Sequence, residues 1–141
     1  MKLLRFRKDG QAGYGLLEGE TVYQLIGSPF ADRHERGPVV GPLHSLKVLA
    51  PCEPTKIICA AKNYPWGENP SKSPRPLLFF KPPSSVIGHE ENIVFPSQSQ
   101  RLIFESELVV VIGKVARNIK VPLRFLPRCR TARYILPTRR H

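Results

Sequence analysis

A chain of 141 residues with 41% apolar content can hold one domain, or a small domain and part of another, and buries a core without a metal or disulfide staple. Its 15 prolines exclude an architecture of long helices, and no fully apolar run is longer than Leu108 to Ile112, far too short to span a bilayer. The formal charge of +11 suggests a nucleic-acid partner until it is located: nine of the 22 basic residues lie from Lys114 onward and no Asp or Glu follows Glu107, so the first 113 residues set 13 basic against all 11 acidic side chains.

The front of the chain reads as a meander of short strands. Leu3-Leu4-Arg5-Phe6 is the first, Asp9-Gly10 is a turn signal, and Tyr14-Gly15-Leu16-Leu17 resumes the strand. Glu18-Gly19-Glu20 turns the chain into Thr21 to Leu25. Residues 31–46, rich in Gly and Pro, read as a connecting loop, and His34 and His44 as solvated loop residues.

Leu46 to Pro51 leads into a second unit. Lys56 to Ala61 is expected to be a buried strand, followed by a Pro/Gly-rich loop through Trp66. Leu77 to Lys81 is another strand, continued after Pro82-Pro83 by Ser84 to Gly88. His89 to Asn92 is a polar turn before the short apolar Ile93-Val94-Phe95. Three cysteines (Cys52, Cys59, Cys129) are an odd number without metal-site spacing, and read as reduced thiols of a cytoplasmic protein. Met1 to Arg5 begins like a signal peptide, but its apolar part stops at once. There is no internal repeat, no Gly-rich phosphate loop and no Ser-His-Asp or Cys-His motif.

The chemistry gathers on Phe104-Glu105-Ser106-Glu107 and the β-branched run to Gly113. The run reads as a buried strand. Side chains alternate along a strand, so Glu105 and Glu107 share a face, with Cβ atoms about 7 Å apart. Two carboxylates entering a buried strand repel and lose hydration, and a divalent cation removes both penalties. Hard oxygen ligands suit Mg²⁺ or Mn²⁺, and also Ca²⁺. The alternative on spacing alone is two glutamates facing solvent at a strand end.

Several segments, in order, resemble the fumarylacetoacetate hydrolase family. They are Pro54 to Cys59, Asn63-Tyr64, Leu78 to Gly88 and Phe104 to Asn118, preceded by a front segment that looks like the small N-terminal domain of many bacterial members. The resemblance implies a mostly β (α+β) protein: a small N-terminal β domain over residues 1–50, then the first part of a mixed β-roll catalytic domain over 51–121. Residues 122–141 would be a basic irregular tail. It also implies a divalent metal held by Glu105 and Glu107 and a small dicarbonyl acid substrate: a β-diketo acid, an oxaloacetate-like acid or a hydroxymuconate-type dienol. Members include hydrolases, decarboxylases and isomerases, and the full-length members are often homodimers.

Two departures from the family pattern matter. Members commonly read N-Y-x-x-H-x-x-E after the first catalytic-domain strand, where the His and Glu activate water. Here those positions are Gly67 and Pro70, leaving Glu68 and His89 as substitutes by residue type, with Lys81 a candidate partner for substrate carboxylates. The resemblance also stops near Val121. Where a third metal ligand, an Asp, is expected, the sequence reads Tyr134 to Arg140 without a carboxylate. The composition break suggests translation in a shifted frame and an incomplete, inactive chain. A competing class is a nucleic-acid-binding protein that uses its basic C-terminal arm, with Phe125 and Tyr134 stacking on bases. It accounts for the tail but not for the E-x-E strand or the near-neutral body, so a nucleic-acid partner is not the expectation.

Overall fold

The structure is a computed structural model that describes residues 2–62, 75–103, 107–113, 115, 117, 118 and, for the backbone, 131–132. Among the described residues it is built from strands and two 3-10 turns. The strands are β1 (Lys2–Lys8), β2 (Gln11–Glu18), β3 (Thr21–Ile26), β4 (Glu35–Pro42), β5 (Lys47–Val48), β6 (Ile57–Ala61), β7 (Leu77–Lys81), β8 (Val109–Val110) and β9 (Thr131–Ala132). The fold is mostly β, as expected.

The first five strands make one antiparallel sheet in the order β4-β3-β2-β1-β5. Its first hairpin follows from Asp9-Gly10, which takes positive φ at both positions (47° and 79°), the twist that a two-residue hairpin demands. The sheet is strongly coiled. In a flat sheet β1 and β4, three places apart, would be separated by about 14 Å. Here the Lys8 ammonium at the end of β1 donates to the carbonyl of Val40 in β4 at 2.6 Å.

Coiling lets one face close on itself. Leu4, Phe6, Val22 and Leu46 form the buried cluster, with Leu17, Val40, Leu43 and Val48 packed against it. Burying each such side chain is worth roughly 1.5–3 kcal/mol. The register explains the membership: Leu17 faces Val22, and Phe6 faces both Gly13 and Val48. On the other face Leu16 and Leu25 are also buried.

Residues 31–46 depart from the expected loop. Half of them, Glu35–Pro42, form β4, whose low intrinsic strand preference is overridden by pairing to β3. The pairing shifts register on either side of Tyr23. β4 lies at the sheet edge, where Pro38 and Pro42 are tolerated because the outer side needs no N–H donor. Leu46 and Leu49 are buried, and β5 pairs with β1.

The chain divides into two compact units, Met1–Cys52 with Ile87–His141, and Glu53–Val86. The second unit contains the antiparallel pair β6-β7. The strand expected to be buried over Lys56 to Ala61 alternates between half-buried and exposed positions. Ile58, Leu77, Leu78, Phe79 and Phe80 are exposed, Phe80 to 72%. After β7, Pro83–Ser85 is a 3-10 turn, not a strand, with Pro at its first position.

Candidate metal and substrate site

Glu107 is half-buried and stands two residues before β8. From Glu107 to Ile112 burial alternates: Glu107, Val109 and Val111 are half-buried, while Leu108, Val110 and Ile112 are exposed. The period of two expected of this stretch is therefore present, and Glu107 shares the more protected side with the two valines. The ladder is shorter than the expected strand. Among the described residues, the pairs are Val109 with Ala132 and Val110 with Thr131. The stretch is also not buried, since Ile112 is 71% exposed. Gly113 passes close to Phe30, where a Cβ would meet the ring at 3.2 Å. Glu105 lies outside the described residues, as does Glu68.

His89 is described and exposed. Its Nε2 lies 3.7 Å from the Glu90 carboxylate, in a turn where Glu90 takes a φ of 58°. The same turn is fastened to the first sheet. Lys47 in β5 donates to the His89 carbonyl at 3.1 Å and lies 3.7 Å from one carboxylate oxygen of Glu91, whose other oxygen accepts the Gly88 amide at 2.7 Å. No local pattern marks Lys47 and Glu91, because their contact joins residues that are distant along the chain.

Lys81 closes β7 opposite Ile57. Its ammonium lies 6.0 Å from the centroid of the Phe79 ring. The other end of the ribbon is the Ala61–Leu77 pair, and Asn63 and Tyr64 lie outside the described residues. Four residue steps, about 14 Å along a strand, separate the two ends.

Among the described residues no three His, Cys, Asp or Glu side chains converge as a metal site. The donor type at Glu107 suits a hard divalent cation, but such ions take six or more oxygens. The described residues do not complete a cation site.

Two family models match successive parts of the chain: an Rv2993c-like N-terminal domain over residues 1–51 and a fumarylacetoacetate (FAA) hydrolase C-terminal domain over 56–124. The chain is 40% identical over 81 residues to a fumarylacetoacetate hydrolase domain-containing protein 2 homolog of Dictyostelium discoideum, an alignment covering 55% of this chain and 27% of that protein. It is 37% identical over 83 residues to the human mitochondrial oxaloacetate tautomerase FAHD2A, covering 56% of this chain and 26% of the relative. The crystal structure of 2-hydroxyhepta-2,4-diene-1,7-dioate isomerase from Mycobacterium marinum is similar at 28% identity and a TM-score of 0.69, covering 81% of this chain and 45% of that one. The matched region thus spans less than half the length of each of these relatives. The order of the two matched domains, the sheet-first architecture and the E-x-E segment inside the second match agree: the chain belongs to the fumarylacetoacetate hydrolase family.

Proposed function

We propose that this chain carries the N-terminal part of an enzyme that moves protons or breaks bonds beside a carbonyl of a small dicarbonyl acid, most closely an isomerase or tautomerase. The observation that carries the reading is the position of Glu105 and Glu107 inside the FAA hydrolase match at 56–124. The names of two similar proteins support the reaction type: one is an oxaloacetate tautomerase, the other an isomerase of a hydroxydienedioate. Both substrates place an enol or ketone next to a carboxylate.

In this reading Glu105 and Glu107 are two of the oxygen ligands of a divalent cation, Mg²⁺ or Mn²⁺, with Ca²⁺ also compatible. Such an ion polarises a carbonyl and stabilises enolate charge. The two carboxylates need further donors, and this chain offers no carboxylate after Glu107. On its own it is expected to be inactive. Lys81 is the candidate for holding a substrate carboxylate. The proton-transfer role has no settled residue, because Gly67 and Pro70 replace the family's His and Glu, and Glu68 and His89 are alternatives by type. The exposed His89 beside Glu90 has the chemistry of a base without an enclosed site around it. The working protein is proposed to be a cytoplasmic homodimer.

The test is a Mn²⁺ titration followed by electron paramagnetic resonance, on this chain and on Glu105→Gln and Glu107→Gln. Weak binding lost in both variants supports the reading. Binding that survives both substitutions overturns it. Reading the coding DNA beyond Ile119 in all three forward frames is a companion test. A family-like segment with an Asn-Asp pair in another frame would account for the basic tail. The charge concentrated after residue 113 favours the second reading, a nucleic-acid arm, and salt-dependent retention of RNA by this chain would support it.

A further inference from the structure

The chain leaves the first unit after Cys52 and returns to it at Ile87. The excursion between these points holds the β6-β7 ribbon. At the return, the Gly88–Glu91 turn lies against β5, the edge strand that immediately precedes the departure. Gly88 approaches so closely that a Cβ there would meet the Val48 carbonyl oxygen at 3.1 Å and the Glu91 carboxylate at 3.0 Å. The Lys47 ammonium donates to the His89 carbonyl at 3.1 Å and faces Glu91 at 3.7 Å. Glu91 in turn receives the Gly88 amide, and its own amide points back to the Gly88 carbonyl at 3.4 Å.

We propose that Lys47 is a clasp that closes the base of the 53–86 excursion, tying the returning turn to the edge of the first sheet. The chemistry is specific to a cation at this position. One ammonium satisfies a backbone carbonyl and a carboxylate that lie on the same turn, and the carboxylate is already oriented by the Gly88 amide. The backbone of β5 is held independently: Lys47 is paired with Arg7, and the Leu49 amide donates to the Arg5 carbonyl at 2.9 Å. Removing the ammonium therefore releases the turn without unpairing β5. The bare Gly88 completes the fit, since a side chain there would push the turn off Val48. The clasp stands whether or not the enzymatic reading holds, because it concerns how the chain returns and not what the E-x-E segment binds.

The test is amide hydrogen exchange on the whole chain, comparing Lys47→Met, Lys47→Arg and Glu91→Gln with the parent. Lys47→Met keeps the side-chain stem and removes the charge. Exchange at the Gly88 and Glu91 amides is expected to rise about 3- to 10-fold in Lys47→Met, with strands β1 to β3 unchanged. Glu91→Gln raises it by a similar factor, and Lys47→Arg restores most of the protection because its guanidinium reaches both acceptors. Unchanged exchange at Gly88 and Glu91 in Lys47→Met overturns the proposal. So does an equal rise throughout β1 to β3, which would make Lys47 a general contributor to stability.

Discussion

The Phe6 ring lies directly on the backbone of its cross-strand partner Gly13: a Cβ at Gly13 would meet the ring at 3.3 Å. Two residues further along, Gly15 is tighter still. A Cβ there would sit 2.6 Å from Cγ1 of Val22, 3.0 Å from the Tyr23 carbonyl oxygen and 3.1 Å from the Phe6 ring. The two glycines of β2 are therefore the floor on which the core aromatic rests.

Gly15→Ala should destabilise the first sheet by about 1–3 kcal/mol, the range for overpacking a filled core. Val22 is fully buried and cannot move aside, and one of the nearby atoms is backbone. Gly13→Ala should cost less, because only ring atoms crowd it. Urea denaturation of the two variants checks the order. A Gly15→Ala variant as stable as the parent would contradict the packing described.

Phe6→Ala should cost about 3–5 kcal/mol through the cavity left over Gly13. Phe80→Ser in the ribbon should change stability by no more than about 0.5 kcal/mol, because the side chain is 72% exposed. The same change should lower binding of an apolar fluorescent dye. Thermal melts and dye titrations of the pair separate the two environments.

Arg36 of β4 bridges a residue of β2 and one of β3. Its guanidinium meets the Glu18 carboxylate at 2.9 Å and lies 4.6 Å from the centroid of the Tyr23 ring. Both charged side chains are largely in solvent, so screening limits the coupling between Arg36 and Glu18 to about 0.5 kcal/mol. A double-mutant cycle with Arg36→Gln and Glu18→Gln measures it. The coupling should shrink further at 1 M salt, where the Debye length is about 3 Å.

Cation affinity is expected to be low, with a dissociation constant of roughly 10⁻³ M for Mn²⁺, because two carboxylates leave most of the oxygen shell to water. Calorimetry checks this. Micromolar binding abolished by Glu105→Gln would reveal another protein donor in the chain.

The meander of β1 to β3 was legible because its information is local: an Asp-Gly turn and short apolar runs between turn residues. β4 was not, because Gly37, Pro38, Gly41 and Pro42 speak against a strand and only pairing with β3 makes one. The alternation from Glu107 to Ile112 was readable for the same local reason. Its exposure was not, since β-branched composition says that a stretch prefers extended backbone, not that anything covers it. Glu107 could be singled out by spacing and resemblance. Lys47 and Glu91 carry no motif, and their meeting depends on where the chain returns after the ribbon.

The prolines of β4 also decide what this sheet can join. Pro38 and Pro42 offer no amide on that flank, and on the opposite flank the two-residue β5 is met by the Gly88 turn. Both margins are thus poor templates for another strand. A fusion placed ahead of Lys2 should not recruit neighbouring molecules by extending this sheet, which makes the first module a suitable carrier for a tag or a donor fluorophore.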